Sequence, residues 1–507
     1  MSVNTTLLAH TRSPARDLRA TGKGRRVQLG LATLALASVL SASASAVCTG
    51  SSPTWTSTVD YGSLSSCVSQ AKSRDTINVS AGTATYSSTL LVTKGISIIG
   101  AGPTSTIING NNTTVIVINM TGSENVRISN IGFTGSGGDT QLAITMINLR
   151  GTLDTIRLDH LNFTDIQQHA VYIGLWDAIP QHPRVLFDHI TYKSSLVTGF
   201  QRFLKLLGNN NTWKFDDQYG SDWFVFIEDS SFTWTGVADS NSGVTDTEHG
   251  GRLVVRYNTI QGGGVQVHDT GSTPAAKGQR LTEIYRNAFA CNIPHCSEIP
   301  AIGVRGGGWV IHGNRFDSGF WVPAYPQIYR ATVEAGYLGK SCDGTPVAVC
   351  DTPTYYHCSG GDHRACGYPD DFICQGIGSC VTAASGPSDC SAQSPFIPNL
   401  DRVDGGAGLS GYPCRHQTGW GKEIANGQME EPSPVYWWNN TDLSGAPVSF
   451  SFDVSPWFLA NRDYCNHDPS TACGRRVGFA YTPFPYPHPL QSGTGYRLPP
   501  PTNLRIQ

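Results

Sequence analysis

Short runs of alternating apolar and polar residues return along this chain at a regular interval. Each run ends on an aromatic or aliphatic residue, and these terminal residues are Phe133, Phe163, Tyr192, Phe232, Ile260, Phe289 and Phe316. Successive terminal residues are 27 to 30 residues apart, except for one interval of 40. A repeat of this length predicts a solenoid, because each unit can bury its apolar face only against its neighbours.

Two rows of positions inside the repeat indicate that each unit is a strand. Five places before the terminal residue stand Ile128, Leu158, Phe187, Ile227, Val255, Ile284 and Ile311. Seven places before it stand Val126, Ile156, Val185, Val225, Leu253, Thr282 and Trp309. Side chains two apart share one face of a strand, so both rows are predicted to face the core. No helix-length amphipathic segment separates the strands, which excludes a leucine-rich-repeat or βαβ solenoid.

Asparagines recur at one position of the repeat. Asn258, Asn287 and Asn314 each lie two places before the terminal residue. We expect them to stack at a corner of successive coils and to bond to one another's amides, with independent turn asparagines as the alternative. The predicted fold is therefore all-β, a parallel β-helix, and the general crossover rule makes it right-handed.

The phrases RLVVRYNTI and RLTEIYRNAF, with a histidine-bearing strand between them, carry a family resemblance. Over about residues 75–325 the chain resembles the pectate-lyase-like superfamily of right-handed parallel β-helix proteins, in particular secreted bacterial members. The resemblance implies the fold and a role in acting on polysaccharides, often those that contain uronates. It does not choose a chemistry, because lyases, hydrolases, epimerases and adhesins share this fold.

Residues 1–46 are predicted to be a signal peptide. A basic segment precedes an apolar run from Leu29 to Leu40, and the small residues up to Ala46 offer a cleavage site. The alternatives are a retained anchor and, from Arg25-Arg26, a twin-arginine export route. We expect a secreted or periplasmic protein with no membrane attachment after cleavage. The predicted divisions are a cap at 47–80, the β-helix at 81–325, a Cys/Pro/aromatic-rich region packed on it at 326–495 and a Pro-rich tail at 496–507.

All 14 cysteines follow the predicted signal peptide, which favours disulfides in an exported protein. The spacing suggests three short-range pairs, Cys48 with Cys67, Cys291 with Cys296 and Cys465 with Cys473. Eight more cysteines crowd the segment from Cys342 to Cys414, where connectivity cannot be derived and irregular spacing disfavours zinc. A net charge of −3 provides no bulk attraction to nucleic acid. The oligomeric state is not determined.

One outward row of the repeat carries charge. Four places before the terminal residue it contains Ser129, Asp159, Asp188, Glu228, Arg256, Tyr285 and His312. Three adjacent carboxylates resist joint ionisation unless something relieves them, and Asp159, Asp188 and Glu228 are accordingly candidate ligands of Ca²⁺. The alternatives are relief by Arg256, a raised carboxyl pKa suited to general acid work, and a solvated polar face crossed by ion pairs with no site.

A second outward row supplies candidate catalytic residues. Val265 and Val267 are predicted to point inward, so that Gln266 and His268 face out, level with Arg305 of the next coil. Lys205 is placed one coil earlier. Uronate lyases need a base for the proton α to the carboxylate and a cation to neutralise that carboxylate. The catalytic candidates are His268, Arg280, Arg305 and Glu283, against a purely structural role for His268.

Residues around this row are candidates for holding the substrate: Arg252, Arg256, Lys205, Trp213 and Trp223. The two tryptophans suit stacking on sugars or, equally, packing of a long loop. Arg280 and Glu283, three apart, are alternatively an ion pair. The polar segment 239–249 is typical of a lid or metal loop.

The function predicted is a polysaccharide lyase that cleaves a uronate-containing polymer by β-elimination. One alternative is a glycoside hydrolase, whose two carboxylates would be Asp188 and Glu228. Another is a non-catalytic adhesin that binds glycans.

Overall fold

A computed structural model describes residues 48–111, 113–120, 125–135, 143–147, 155–174, 184–197, 201–236, 242–268, 277–291, 293, 296–297, 299–326, 356–358, 365–366, 380–382, 418–424, 429–450, 458 and 460–492. The predicted signal peptide and the predicted Pro-rich tail lie outside these residues. Among the described residues, no helix is long and apolar enough to cross a membrane.

Sheet A has 13 strands and contains the repeated phrases. In spatial order they are β1 (Cys48–Ser51), β2 (Thr54–Ser57), β3 (Thr76–Val79), β6 (Ser97–Gly100), β9 (Val126–Ser129), β12 (Thr155–Asp159), β15 (Arg184–Asp188), β18 (Val225–Glu228), β21 (Arg252–Arg256), β24 (Leu281–Tyr285), β27 (Gly308–His312), β35 (Val435–Trp438) and β37 (Tyr464–Cys465). The β1–β2 pair is antiparallel, and from β2 to β37 neighbouring strands are parallel.

Sheets B and C are formed by the strands that follow each sheet A strand. Sheet B contains β4 (Gly82–Tyr86), β7 (Thr106–Gly110), β10 (Gly132–Thr134), β13 (Asn162–Thr164), β16 (Thr191–Ser194), β19 (Ser231–Trp234), β22 (Thr259–Gln261), β25 (Ala288–Ala290), β28 (Arg315–Phe316) and β36 (Thr441–Asp442). Sheet C contains β5 (Leu90–Val92), β8 (Ile116–Asn119), β11 (Ile144–Ile147), β14 (Gln168–Gly174), β17 (Gln201–Leu207), β20 (Ser242–Glu248), β23 (Gly264–Gln266), β26 (Ile302–Val304) and β29 (Ala324–Pro326). One strand per sheet in each coil, with parallel pairing between coils, defines a parallel β-helix, and the fold predicted from the sequence is confirmed.

The remaining elements lie at the ends of the helix or beside it. Helix α1 (Tyr61–Gln70) begins at its cap Asp60, whose side chain accepts from the Ser63 amide, and it buries Leu64 and Val68. Short 3-10 helices span Asn210–Lys214 and Pro489–Ser492. Two small antiparallel sheets consist of β30 (Tyr356–Cys358), β31 (Ala365–Cys366) and β32 (Cys380–Thr382), and of β33 (Trp420–Ile424) and β34 (Met429–Pro432).

Both predicted core rows are confirmed. Neighbouring members, such as Ile156 and Val185, or Val255 and Ile284, are paired in register, and all of them are buried. Burying one such aliphatic or aromatic side chain contributes about 1.5–3 kcal/mol, so the repeat by itself stabilises the stacked coils. Thr282 is tolerated in the interior because its hydroxyl donates to Gln279 Oε1 at 2.7 Å.

The asparagine stack is also confirmed. Asn258 Nδ2 donates to Asn287 Oδ1, and Asn287 Nδ2 donates to Asn314 Oδ1, both at 3.0 Å. Asn314 continues the series to Asn440 at 3.0 Å. The residue immediately before each stacked asparagine has a positive φ, which is 56° at both Tyr257 and Arg286. This conformation turns the chain from sheet A into sheet B.

Asn440 belongs to a coil that the sequence interpretation missed. The repeat was expected to end near residue 325, but Trp437 pairs with Ile311, and Asp442 pairs with Phe316. The phrase VYWWNNTD is thus a further repeat unit, separated from the others by a long insertion.

The three short-range disulfides, Cys48–Cys67, Cys291–Cys296 and Cys465–Cys473, are present. They indicate a protein of an oxidising compartment. The pairing of the cysteines between Cys342 and Cys414 lies outside the described side chains.

Candidate active site on sheet C

The charged row predicted on sheet A exists in register but is not exposed. Asp159 pairs with Asp188, Asp188 with Glu228 and Glu228 with Arg256, as expected. All four residues are completely buried. The expectation that this row faces solvent is therefore wrong.

Arginines neutralise the three carboxylates. Arg127 binds Asp159 through two hydrogen bonds of 2.7 Å, and Arg157 binds Asp188 at 2.8 and 3.0 Å. Arg256 Nε donates to Glu228 Oε2 at 2.6 Å. Burial opposes ionisation of Asp159, but Arg127, Arg157 and Ser129 together outweigh it, and the pKa of Asp159 is lowered. Relief of Glu228 by Arg256 was anticipated from the sequence, and burial also raises the pKa of Glu228, whereas calcium on this row stays a prediction.

A segment near the C-terminus covers the row, and we call residues 481–491 the strap. Arg256 donates to the carbonyl oxygens of Phe484 and Pro485 at 2.6 and 2.8 Å. Glu228 accepts from the His488 amide at 2.8 Å and from Gln491 Nε2 at 2.6 Å. Arg256, predicted to bind substrate, is thus fully buried beneath the strap. Asp188 and Glu228 are not a hydrolase pair, because no glycosidic bond can reach two fully buried carboxylates.

Glu283 and Arg280 also lie under covering segments, and they do not pair with each other. Glu283 accepts from the Gly220 amide at 2.7 Å and from the Tyr481 hydroxyl at 2.6 Å, and burial raises its pKa to about 7. Arg280 forms an ion pair with Asp217 and donates to the Phe215 carbonyl at 3.2 Å. Both side chains are buried, which removes them from a surface catalytic role.

The two tryptophans pack the loop before β18. Trp213 is fully buried and donates its indole N–H to the Gly278 carbonyl at 3.0 Å. Trp223 is 6% exposed and lies beneath the guanidinium of Arg252, 4.6 Å from its ring centroid. Neither ring is exposed for stacking on a sugar, which was one of the two roles considered for them. The alternative of loop packing holds.

Sheet C presents a different charged face. The segment expected to be a lid or metal loop includes β20, whose Asp246 pairs with Lys205 and, through it, with Tyr172 of β14. Lys205 was placed one coil before the strand of His268. Strand β20 lies between them, so the separation is two coils.

These strands bring a cluster of six side chains together, which we call the sheet C cluster: Tyr172, Arg202, Lys205, Asp246, Glu248 and His268. Lys205 Nζ lies 3.0 Å from Asp246 Oδ2 and 2.7 Å from Glu248 Oε1. Arg202 pairs with the same oxygen of Asp246. His268 lies over both carboxylates, with Nε2 3.6 Å from Asp246 and Nδ1 3.6 Å from Glu248. His169 Nε2 approaches Asp246 from the opposite side at 3.7 Å.

The cluster holds both carboxylates in the ionised form. Burial opposes this, but His169, Arg202, His268 and Lys205 bring the pKa of Asp246 well below its usual value. For Glu248, burial is outweighed by His268 and Lys205, and its pKa falls to about 2. Burial, Glu248 and Asp246 together raise the pKa of the Tyr172 hydroxyl, which therefore stays protonated at neutral pH.

Solvent reaches this cluster through His268. Its side chain is 35% exposed, against 5% for Asp246 and 13% for Lys205. Arg305 follows β26 of the next coil and, like His268, lies two residues beyond the paired Gln266 and Gly303. The structure thus assembles His268 and Lys205 from the predicted site, with Arg305 on the adjacent coil.

The sequence interpretation placed Asp246 and Glu248 in a polar lid or metal loop, and it missed that they lie on strand β20 beside Lys205. The inward positions of β20 are Thr245 and Thr247 in place of aliphatic residues, and both are fully buried. Alternation of Thr245 and Thr247 with Asp246 and Glu248 was the signal present in the sequence.

The described residues also contain one group with metal-ligating spacing. His160, Asp188 and His189 offer ligand atoms that all lie within 4.8 Å of one another. The two imidazole rings are stacked, with their centroids 4.6 Å apart. In each histidine, Nδ1 forms a hydrogen bond with the carboxylate of the aspartate immediately before it. Asp159 and Glu228, predicted to share a cation with Asp188, are not in this group.

No protein-family model matches the chain, and no curated protein matches it. Among solved structures, it is similar to the alginate lyase AlyGC of the PL6 family, with 12% identity, a TM-score of 0.34 and coverage of 53% of this chain and 40% of that one. It is also similar to ORF18 of Geobacillus virus E2, with 10% identity, a TM-score of 0.21 and coverage of 53% and 59%. The matched part thus spans less than two thirds of either structure. The fold and the site define the chain as a parallel β-helix protein with a cluster of charged side chains on sheet C.

Proposed function

We propose that this chain is an exported polysaccharide lyase, which cleaves a uronate-containing polymer by β-elimination over the outer face of sheet C. The observation that carries the proposal is the position of Lys205 and His268. The Lys205 amine lies within 3.0 Å of two ionised carboxylates, and the His268 imidazole, which is 35% exposed, lies 3.6 Å from each of them.

The direction of the face suits a polymer. Neighbouring strands of a sheet are about 4.8 Å apart, so Tyr172, Lys205, Asp246 and Gln266 form a row that runs along the axis of the β-helix. An extended glycan that follows this row meets cationic, acidic and neutral groups in successive coils. Negative charge on a uronate favours contact with Lys205 and Arg305.

For the elimination, the protein must supply a base, a positive charge near the uronate carboxylate and a proton donor for the leaving oxygen. A base takes the proton from the carbon α to the uronate carboxylate, the bond from the neighbouring carbon to the glycosidic oxygen breaks, and a C=C bond forms between the two carbons. We assign the proton abstraction to the unprotonated imidazole of His268, since its ring is more exposed than Lys205, Asp246 or Glu248. Lys205 stabilises the charge that develops on the carboxylate, and the protonated Tyr172 hydroxyl supplies a proton to the departing oxygen.

The electrostatics of the cluster favour elimination over hydrolysis. A glycoside hydrolase needs one carboxylic acid that is still protonated at the working pH. Asp246 and Glu248 both have lowered pKa values, so neither supplies that proton.

Calcium is a proposal as well, and the cluster suits it better than sheet A does. Asp246 Oδ1 is buried and has no hydrogen-bond partner among the described residues, and carboxylate oxygens are the ligands that Ca²⁺ prefers. Asp246 and Glu248 would hold the ion in competition with the Lys205 amine. When bound, it would supply positive charge for the substrate carboxylate.

The test uses the purified full chain, without its signal peptide, on a panel of uronate-containing and neutral polysaccharides, with and without a chelator. Ultraviolet-absorbing unsaturated ends from a uronate polymer are the expected product. The variants Lys205→Met and His268→Gln should lose the activity, while Lys193→Met, an exposed lysine on sheet B, should keep it. New reducing ends without ultraviolet absorbance would establish a hydrolase instead, and binding without cleavage would establish an adhesin.

A further inference from the structure

A cavity lies at the corner between sheets C and A, beside the segment that joins β20 to β21. It is a shallow depression: most of its roughly 250 Å³ of empty volume is open to solvent, and the enclosed part holds about one water-sized group. Its wall contains three glycines, Gly208, Gly250 and Gly251, together with Trp223 and Arg252. The cavity adjoins the sheet C cluster: the amide of Gly251, in the cavity wall, donates to the carbonyl oxygen of Glu248, a cluster residue, at 3.1 Å.

Arg252 is a buried cation with an unused donor. The residue is 5% exposed, and its Nη2 has no hydrogen-bond partner among the described residues. Its guanidinium is held by rings on one side, 4.6 Å from the centroid of Trp223 and 5.8 Å from that of Phe224. Burial and repulsion by Arg280 bring its pKa well below its usual value, with Asp222 opposing them.

The carboxylates around Arg252 are already engaged. Asp222 lies 3.1 Å from Arg184, and Asp217 pairs with Arg280 and lies 3.2 Å from Arg476. In addition, Nε and Nη1 of Arg280 are buried without partners in the described part of the chain. Four arginines thus share two aspartates. A buried charge that lacks a full counterion is costly, and an anion in the cavity would reduce that cost.

We propose that this cavity is an anion-binding site, in which Arg252 Nη2 donates to a carboxylate. The carboxylate can come from a uronate unit or from a free small organic acid, and Arg252 would recognise both in the same way. The proposal does not depend on the lyase chemistry, because it concerns binding alone.

Isothermal titration calorimetry and thermal unfolding of the full chain, in a buffer of constant ionic strength, test the proposal with acetate, glucuronate and glucose. We expect one site for acetate, for glucuronate or for both, accompanied by a rise in Tm, and no effect of glucose. Binding of glucuronate alone would identify a sugar acid as the ligand, while equal binding of acetate would identify a small acid. Absence of heat and of a Tm shift with both acids would overturn the proposal.

Variants locate the site. Arg252→Gln should reduce the affinity at least tenfold, because a hydrogen bond to a charged group contributes about 1.5–3 kcal/mol. Its Tm without ligand should equal or exceed that of the unmodified chain, since an uncompensated buried charge is removed. Arg315→Gln, which changes an exposed arginine, is the matched control and should bind normally. If Arg252→Gln does not fold, Arg252→Lys replaces it, and unchanged affinity in that variant would contradict the assignment.

Discussion

The Tyr481 hydroxyl donates a hydrogen bond of 2.6 Å to Glu283, a residue 198 positions earlier in the chain. This contact fixes the start of the strap over the outer face of sheet A. Gly220 holds the second oxygen of Glu283 at 2.7 Å, so one buried carboxyl group joins the strap, the 209–222 loop and β24. The protonation state of the Glu283 carboxyl group therefore affects how stably these three segments are held together.

Glu283 should make the protein less stable as the pH rises. Its folded-state pKa is about 7 because of burial, against an ordinary value of 4.5. Between these two values the folded state binds more protons than the unfolded state, so this contribution is complete below about pH 4.5 and is lost as the pH rises through 7. The loss amounts to about 3 kcal/mol at 1.36 kcal/mol for each pKa unit.

Urea unfolding at pH 5 to 8 measures the effect as a difference between the unmodified chain and Glu283→Gln. The comparison is needed because burial lowers the pKa of His312 to about 4 and that of His488 to about 3, and both histidines contribute a slope of the opposite sign. The advantage of the unmodified chain over the variant should shrink steadily towards pH 8. A difference that does not change with pH would contradict a raised pKa at Glu283.

Alanine substitution should mainly lower turnover at His268 and mainly lower stability at Arg280. His268 is 35% exposed and lies 3.6 Å from each carboxylate, so His268→Ala should lower the free energy of unfolding by about 1 kcal/mol, less than the change at Arg280. If it is the base, turnover should fall by about 10²- to 10⁴-fold. Circular dichroism melting and the ultraviolet assay on the same preparation provide both numbers.

Arg280→Ala should instead destabilise the fold. The guanidinium is buried, donates to Phe215 and Asp217 and lies 5.3 Å from the Trp213 ring centroid. Lost packing and lost hydrogen bonds should lower the free energy of unfolding by about 2–4 kcal/mol. Normal stability with lost turnover would restore Arg280 to the catalytic residues.

Asn287 should be essential to the corner of the coils. Its side chain donates to the Val255 and Tyr285 carbonyls and to Asn314, and it accepts from the backbone and side chain of Asn258. Asn287→Ala leaves these buried groups unpaired, so the free energy of unfolding should fall by about 2–4 kcal/mol. Asn78→Ala, at an exposed position of β3, is the control and should be nearly neutral in the same urea titration.

The ion pair between Glu228 and Arg256 should show strong coupling in a double-mutant cycle. Removing one partner leaves a buried charge alone and should cost about 3–5 kcal/mol, whereas Glu228→Gln with Arg256→Met should cost clearly less than the two single changes added together. Hydrogen exchange at 484–491 should accelerate in Arg256→Met, because Arg256 holds the Phe484 and Pro485 carbonyls. Additive costs would show that the strap is held by other contacts.

The parts of the fold that could be predicted depend on short-range periodicity. Ile156 and Val185 occupy equivalent positions of one repeat, so their pairing follows from the spacing, and so does the stack of Asn258, Asn287 and Asn314. The coil at Val435–Trp438 was missed because a long insertion hides the period. Strand β20 was missed because threonines fill its core positions.

By itself, the sequence determined the all-β class, the repeat, the inward rows and the order in which charged residues follow one another along sheet A. Only the tertiary structure decided which charged row meets solvent. The strap from 481 to 491 covers Glu228 and Arg256, whereas the outer face of sheet C leaves His268 open beside Lys205, Asp246 and Glu248. Periodicity specifies the direction of a side chain within its own coil. Burial depends on segments more than two hundred residues away, and no local pattern encodes that contact.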